Sequence, residues 1–308
     1  MQHYYSLDSI FLKGTWLTIG TFDGVHLGHK TILDGLIQEA HHNQALAVVI
    51  TFHPRPAIVL QKGPGSRYLT DPEERAILLG QLGVDVVITY PFTLQVAGMS
   101  AVEFISELHA HLKMKSIWSG TDFAMGRNRE GNLETLKKLG ETFGYKVTAL
   151  EKIQVGDEYI SSSSIRILLD EGKIRDANRM LGRSYSIRGK VIPGDGRGKT
   201  IGIPTANLEI WSEKLIPKTG VYVCHSVISS RRYGSVINIG FRPTFNTQDK
   251  RAVVEAHILD LDEDLYGKEI TLEFFDRLRD EQRFDSISTL VEQIRTDISL
   301  AREMLSSA

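Results

Sequence analysis

The chain has 308 residues, about twice the ~150 typical of one domain, which predicts two domains, each large enough to bury a core. With 42% hydrophobic and 24% charged residues it falls outside the collagen-like, low-complexity and disordered classes. Lys and Arg (36) against Asp and Glu (38) leave a net charge of −2, which argues against a protein built to neutralise nucleic acid, so any anionic ligand must be held locally.

The single cysteine, Cys224, can close no intrachain disulfide and can build no thiolate metal site alone, which points to a reducing compartment. The opening MQHYYSLDSI lacks the basic and then apolar regions of a signal peptide, and no apolar run approaches the ~20 residues that span a bilayer. A cytoplasmic protein with no membrane or nucleic-acid partner is expected, its oligomeric state left open.

From residue 15 to about 150, short β-branched runs alternate with segments of helical period, the pattern of a doubly wound parallel α/β sheet. Strands are expected at 16–20, 45–52, 84–90, 116–119 and 146–150, with helices at about 27–42, 72–81, 100–112 and 131–142 between them. Around 161–181 a serine run leads into two short helices with Gly172 as the stop between them. From Tyr185 onward strands follow one another without helices, at 185–192, 220–229, 233–239, 252–260 and 269–275, which predicts an antiparallel sheet or small barrel. An amphipathic helix from Ser286 to Leu305 closes the chain. The change of texture sets the expected domains at 1–183 and 184–308.

Between the first strand and first helix lies the run Gly20-Thr21-Phe22-Asp23-Gly24-Val25-His26-Leu27-Gly28-His29. Its glycine spacing is not the dinucleotide fingerprint, and the second strand ends in Thr51-Phe52-His53-Pro54 with no acidic residue for a ribose, which disfavours a nicotinamide enzyme. A helix N-terminus there still suits phosphate. His26 and His29, three apart, would share one face and aim both imidazoles at one anion, while Gly28 would let a nucleotide approach the backbone. Such a pair can stabilise the charge on an attacked α-phosphate, which is nucleotidyl transfer without a covalent intermediate.

In the second half, Gly189-Lys190-Val191-Ile192-Pro193-Gly194-Asp195-Gly196-Arg197-Gly198-Lys199-Thr200 is not a Walker A loop, because Pro193 stands where its first glycine belongs and Ile201-Gly202-Ile203-Pro204 cannot begin its helix. The glycines Gly189, Gly194, Gly196, Gly198 and Gly202, with Arg197 and Lys199 between them, still make a cationic lid able to wrap phosphates. After Pro204, Thr205 and Asn207 sit two apart, so an extended segment would turn both oxygens one way toward a hard cation, as in a Mg-nucleotide. In the run Ala252 to Leu261, alternation puts Val253, Glu255 and His257 on one face and Val254, Ala256 and Ile258 on the other.

The run GTFDGVHLGH resembles the signature of the adenylyltransferase half of bacterial bifunctional riboflavin kinase/FMN adenylyltransferases, the FAD synthetase family, and TFHPRP (51–56), GTDFAMG (120–126) and ISSSSIR (160–166) resemble that family in the same order. The stretch Gly189 to Leu208 resembles the riboflavin kinase signature, joined by Gly220-Val221-Tyr222, Asn238-Ile239-Gly240, Pro243-Thr244-Phe245, Val254-Glu255-Ala256-His257, Leu265-Tyr266-Gly267 and Leu278-Arg279-Asp280-Glu281. The resemblance implies a Rossmann-like nucleotidyltransferase domain followed by a kinase barrel that together use riboflavin, FMN, FAD and Mg-ATP. It implies His26 and His29 acting on ATP phosphates, with Gly20, Phe22, Asp23, Gly28, Asp122, Ser162, Ser163 and Arg166 around the nucleotide. In the kinase it implies Gly189, Gly194, Gly198, Lys199, Gly202 and Pro204 around ATP, Thr205 and Asn207 on the metal, Glu255 as base, and Asn238 and Arg279 at the flavin.

The sequence departs from the family pattern at Arg55, where histidine is common, at Ala124 and Met125, which replace a basic and aromatic pair, and at Ser163 and Ser164. Two alternatives stand beside the bifunctional reading: a kinase with a weakened first domain, and a flavin or nucleotide sensor without turnover. A likeness to class I aminoacyl-tRNA synthetases through Lys113-Met114-Lys115-Ser116 is set aside, since no basic tRNA-binding module follows.

Overall fold

The computed structural model describes residues 1–61, 67–151, 154–155, 158–194, 196–241 and 252–307. By its contacts the chain divides into two compact units, Met1–Ser162 and Ser163–Ala308.

In the first unit, β1 (Gln2–Tyr4), β2 (Trp16–Ile19), β3 (Ala47–His53), β4 (Val86–Pro91), β5 (Ser116–Gly120) and β6 (Lys146–Leu150) form a parallel sheet in the order β1-β4-β3-β2-β5-β6. The helices are α1 (Leu27–His42), α2 (Pro56–Val59), α3 (Pro72–Gln81), α4 (Leu94–Gly98), α5 (Ala101–Leu112) and α6 (Leu133–Phe143), and a small hairpin, β7 (Gln154–Val155) with β8 (Glu158–Tyr159), follows. Strand β3 is apolar on both sides, as a sheet covered on both faces demands. Ala47 and Val49 pack with Leu33 and Leu36 of α1 and Leu79 of α3, while Val48 and Ile50 pack with Phe104, Ile105 and Leu108 of α5. Local chemistry sets the helix starts. Asp71 caps α3 with Pro72 in its first turn, and Ser100 and Glu103 form a reciprocal capping box on α5. The expected parallel sheet is present, with β1 as a sixth, edge strand that the sequence reading did not include.

The second unit carries α7 (Ser162–Asp170), which begins on the last residue of the first unit, and α8 (Ile174–Leu181). Then come β9 (Tyr185–Ile192), the single turn α9 (Arg197–Thr200), β10 (Ala206–Ile210), β11 (Gly220–Ile228), β12 (Arg231–Phe241), β13 (Ala252–Ile258), β14 (Glu269–Arg279) and α10 (Ile287–Ser306). Six antiparallel strands close a barrel in the order β10-β13-β12-β11-β14-β9. The five expected strands are there, and β10, read from sequence only as an extended segment, is the stave that closes the barrel between β13 and β9. Tyr222, Cys224, Ile237, Val254, Ala256 and Phe274 are buried. On the outer face Val221, Val223 and Val236 pack with Ala301 of α10.

The domain boundary expected at 183/184 lies about twenty residues after the division at 162/163. The reason is packing: Asn178 of α8 donates from Nδ2 to the Phe274 carbonyl (2.8 Å) and accepts from the Tyr185 N–H (2.7 Å), and Ile174, Ala177, Met180 and Leu181 are buried. Gly172, at φ +78°, turns the chain between α7 and α8, where left-handed backbone favours glycine.

Candidate active sites

In the first unit the C-terminal end of β2 runs into a loop with left-handed backbone at Phe22 (φ 45°), Gly24 (φ 85°) and Val25 (φ 40°). Left-handed backbone at a β-branched valine costs energy that surrounding contacts must supply. They do so through Asp23, 1% exposed, whose carboxylate accepts from the Leu69 N–H (3.0 Å) and the Thr70 N–H (3.1 Å) and pairs with Arg55 Nη1 (3.3 Å). The Thr70 hydroxyl accepts from the Gly24 N–H (3.0 Å), and the Ser162 hydroxyl donates to the Asp23 carbonyl (2.8 Å). Asp23 and Ser162, expected among the nucleotide contacts, thus hold this loop. Arg55, the departure from the family histidine, is the buried counter-charge to Asp23 and lies over the Tyr68 ring (4.5 Å).

His26 is the N-cap of α1, one residue before the helix begins, and its Nδ1 accepts from the His29 N–H (3.3 Å). The accepting Nδ1 puts the proton of the neutral ring on Nε2. The His26 and His29 rings stack, 3.6 Å between centroids and 16° between planes, so the expected pairing of the two imidazoles is realised. A Cβ on Gly28 would lie 3.1 Å from His26 Nδ1 and 3.5 Å from the Ile160 carbonyl; the space sequence reasoning kept for a nucleotide is partly taken by the His26 ring. A Cβ on Gly20 would press on the Phe22 ring (2.9 Å). Asp122 is exposed after β5, its carbonyl accepting from Arg129 (3.2 Å). Ser163 and Arg166 lie three apart on α7 in the second unit, Ser163 exposed and Arg166 half-buried.

Two features here escaped the sequence. Arg75, fully buried in α3, donates from Nη1 to the Thr21 carbonyl (3.0 Å) and the Thr51 hydroxyl (2.7 Å), tying the loop to the end of β3. Burial pulls its pKa below the ordinary arginine value, and the negative Asp23 opposes that pull. Beyond the ends of β2, β3 and β4 opens an apolar cleft of about 480 Å³, lined by Phe52, Phe92, Phe104, Phe123 and Met125, with Ala124, Arg127 and Arg129 also on its walls. Carboxyl ends of parallel strands are where such sheets take ligands.

In the barrel, strand register assembles the second site. Asn207 of β10 lies opposite Glu255 of β13, and Glu255 lies opposite Asn238 of β12. Directly opposed residues share a face with Cβ atoms about 5 Å apart, so the three form one row. Val254, Ala256 and Ile258 are buried in alternation, leaving Glu255 and His257 half-buried on the outer face, as the alternation predicts. Along the row, Asn238 faces Val221, and Val221 faces Arg279 of β14. Arg279 is clamped by Asp297 of α10 through Nε–Oδ1 (3.0 Å) and Nη2–Oδ2 (2.8 Å), with Gln293 also donating to Oδ1 (2.9 Å). Asp297, 2% exposed, is the second functional-site residue the sequence did not single out. Glu281 lies so close to Gly240 that a Cβ there would meet its Oε1 at 2.1 Å. Its carboxyl titrates above the usual range through desolvation, with the negative Glu255 adding to the rise and Arg279 opposing it.

The glycine-rich segment packs onto this row. A Cβ on Gly194 would fall 2.0 Å from Asn207 Nδ2, and one on Gly198 would fall 2.3 Å from the Ile203 carbonyl and 3.2 Å from Thr205 Oγ1. A Cβ on Gly189 would meet the Glu209 carbonyl across β9 and β10 at 2.9 Å. Lys199 is exposed in α9, Gly202 turns at φ +76°, and Thr205 and Pro204 are exposed while Asn207 is buried. Asp195, Pro243, Thr244 and Phe245 lie outside the described residues. Among the described residues no group of three or more His, Cys, Asp or Glu could form an all-protein metal cage. A threonine hydroxyl and an asparagine amide are hard oxygen donors, few in number, which fits a cation that keeps waters and phosphates as its remaining ligands.

A doubly wound domain with a histidine pair at its first helix, joined to a closed barrel with a glycine-rich turn and a carboxylate row, defines a two-domain nucleotide-using transferase. A family model described as FAD synthetase matches residues 9–164, and one described as riboflavin kinase matches residues 181–305. The chain is 36% identical over 293 residues to the bifunctional riboflavin kinase/FMN adenylyltransferase of Escherichia coli strain K12, covering 94% of this chain and 93% of that one. It is 35% identical over 285 residues to the protein of the same description from Bacillus subtilis, covering 91% and 89%. The chain belongs to the bifunctional riboflavin kinase/FMN adenylyltransferase family and carries both of its domains. A solved Streptococcus pneumoniae chain described as a macrolide-efflux protein is similar throughout, with a TM-score of 0.89, 29% identity, and 97% and 98% of the two chains covered. Among the described residues of the present chain, no helix is long and apolar enough to cross a membrane.

Proposed function

We propose that both domains are catalytically competent, the second phosphorylating riboflavin to FMN and the first adenylylating FMN to FAD, in the cytoplasm and with Mg as the divalent cation. The observation that carries the kinase assignment is the row Asn207–Glu255–Asn238 across three strands, with the Gly194 backbone against Asn207. Glu255 accepts the proton of the riboflavin primary hydroxyl as its oxygen attacks the γ-phosphorus of ATP and ADP leaves. Asn238 and Arg279 orient the flavin, the latter held by Asp297. Thr205 and Asn207 would hold the Mg of the nucleotide, whose chemistry there is neutralisation of phosphate charge. Gly194, Gly198, Lys199, Gly202 and Pro204 form the phosphate-wrapping turn, and Gly189 stands in β9, the strand that leads into it.

In the first domain, the phosphate of FMN is itself the nucleophile, so no base is required. Its oxygen attacks the α-phosphorus of ATP and pyrophosphate leaves. His26 and His29 offer donors to the charge that gathers on the α-phosphate, a role supported by their stacking at a helix N-terminus. Gly20, Phe22, Gly28 and Asp122 surround the nucleotide, and Asp23 and Ser162 support the loop from behind. The aromatic cleft takes the isoalloxazine, with Arg127 and Arg129 suited to the FMN phosphate. The proposed working division is an adenylyltransferase up to about 183 and a kinase beyond it, with α7 and α8 packed as part of the barrel unit.

Incubation of the protein with riboflavin and Mg-ATP, followed by separation of the flavins, tests this directly. FAD with transient FMN is expected. FMN alone would select a kinase with an inactive first domain, and unchanged riboflavin would select a sensor.

A further inference from the structure

The two proposed metal-site residues are not held equally. Asn207 is fixed inside the barrel ladder, paired with Glu255 on one side and Ile192 on the other. Thr205 precedes the first residue of β10 and is exposed. Immediately before it, Pro204 has no N–H, and its ring fixes φ, so ψ is the one soft backbone torsion of Pro204, and it sets the orientation of the peptide plane from which Thr205 projects. That torsion is set from across the barrel wall, where His257 Nδ1 lies 2.8 Å from the Pro204 carbonyl oxygen. A carbonyl can only accept, so Nδ1 carries the proton and donates. His257 stands two residues beyond Glu255 on the same outer face of β13, one step past the register pair Ala206–Ala256. One strand therefore carries the carboxylate of the row and the side chain that anchors the neighbouring turn. On the other side of the turn the Ile203 N–H donates to the Gly198 carbonyl (2.9 Å), and Gly198 packs against the Ile203 carbonyl and the Thr205 hydroxyl.

We propose that His257 is a positioning residue of the kinase metal-nucleotide site, its Nδ1–H holding the Pro204 carbonyl so that the Thr205 hydroxyl faces the same cation as Asn207. The inference rests on the reading of Thr205 and Asn207 as metal ligands. In this role His257 would act on the nucleotide only through the Pro204 carbonyl and Thr205. Its removal should therefore act through Thr205 and resemble a partial loss of that hydroxyl, rather than a loss of the base.

The test uses the full-length protein and two readouts: calorimetric binding of Mg-ADP, in which the phase shifted by Thr205→Ala identifies the kinase site, and steady-state riboflavin phosphorylation. His257→Ala should weaken that Mg-ADP phase and raise the KM for Mg-ATP about five- to tenfold, the range of one net hydrogen bond, with a smaller change in kcat and none in FMN adenylylation. His257→Asn places an amide donor at the Nδ1 position and should restore both values to within about twofold, whereas His257→Gln, with its donor at the Nε2 position, should not. The double variant His257→Ala/Thr205→Ala should bind Mg-ADP no more weakly than Thr205→Ala alone, since coupled residues are non-additive. A normal Mg-ADP phase in His257→Ala, full additivity in the double variant, or an Asn variant no better than the Gln variant would overturn the role while leaving the metal reading standing. If Thr205→Ala itself shifts no phase, the metal reading fails and the inference falls with it. Should His257→Ala not fold, the Asn and Gln pair still decides.

Discussion

Gly194→Ala places a methyl group against the proposed metal ligand. A Cβ at this position would lie 2.0 Å from Asn207 Nδ2, 2.6 Å from Cγ and 3.1 Å from Oδ1. Ordinary carbon contacts begin near 3.5 Å, so about 1.5 Å of separation has to be found. Asn207 has little room to give it, being 7% exposed and paired in the ladder on both sides. If Asn207 moves, a displacement above about 1 Å at a catalytic group corresponds to roughly a hundredfold loss in turnover. If the Gly194 backbone moves instead, the phosphate-wrapping chain is withdrawn from Asn207, and the strain appears as about 1–3 kcal/mol of lost stability. Either way kcat/KM for riboflavin phosphorylation should fall on the order of a hundredfold. The assay is FMN formation against Mg-ATP concentration, with adenylylation of supplied FMN as a control within the same molecule and a thermal melt to establish folding. A folded Gly194→Ala protein with wild-type kinase kinetics would refute the view that Asn207 and the glycine turn form one nucleotide site.

Other perturbations separate the parts of the account. Asp297→Ala leaves Arg279 without its carboxylate, so it should cost about 3 kcal/mol in a denaturant titration and raise the KM for riboflavin; an unchanged midpoint would show that the clamp contributes nothing. Arg75→Met strips the donors from the Thr21 carbonyl and the Thr51 hydroxyl and should destabilise the first domain by on the order of 3 kcal/mol, with FAD synthesis lost before FMN synthesis on mild heating. A fragment of residues 163–308 should form FMN but no FAD, while one of 184–308, deprived of buried Ile174, Ala177, Met180 and Leu181, should melt at least about 10 °C lower; equal stability would show that α8 is not part of the barrel unit.

Much of this architecture was legible in the sequence because the signals were periodic. The run AVVITFH of β3 reads as a fully covered strand, and VVEAHI of β13 puts Glu255 and His257 on the face opposite Val254 and Ala256. Strands β1 and β10 were not recognised, since three residues at a sheet edge or five after a proline carry too few alternations. The buried charges escaped for a different reason. Arg75 sits in a helix whose capping is visible, but a buried arginine is recognisable only once Thr21, Thr51 and Asp23 converge on it in space. Asp297 did leave a trace, lying three residues after Ile294 and four before Ala301, on the apolar stripe of α10. An acidic residue on such a stripe predicts a buried partner, though not that the partner is Arg279. The division of contacts at 162/163 was not legible for a similar reason, since the texture changes at Tyr185 whereas the tertiary contacts of α8 point forward to β9 and β14.

The most direct measurement of two activities on two independent sites is single-turnover chemistry in two variants of the full chain, Glu255→Gln and His29→Ala. With saturating Mg-ATP, Glu255→Gln should phosphorylate riboflavin roughly a hundredfold more slowly, yet adenylylate supplied FMN at the wild-type rate. His29→Ala should do the reverse, keeping riboflavin phosphorylation and losing about a hundredfold in FAD formation, the size of one lost donor to developing charge. Equal loss of both activities in either variant, or near wild-type turnover of riboflavin by Glu255→Gln, would contradict the account.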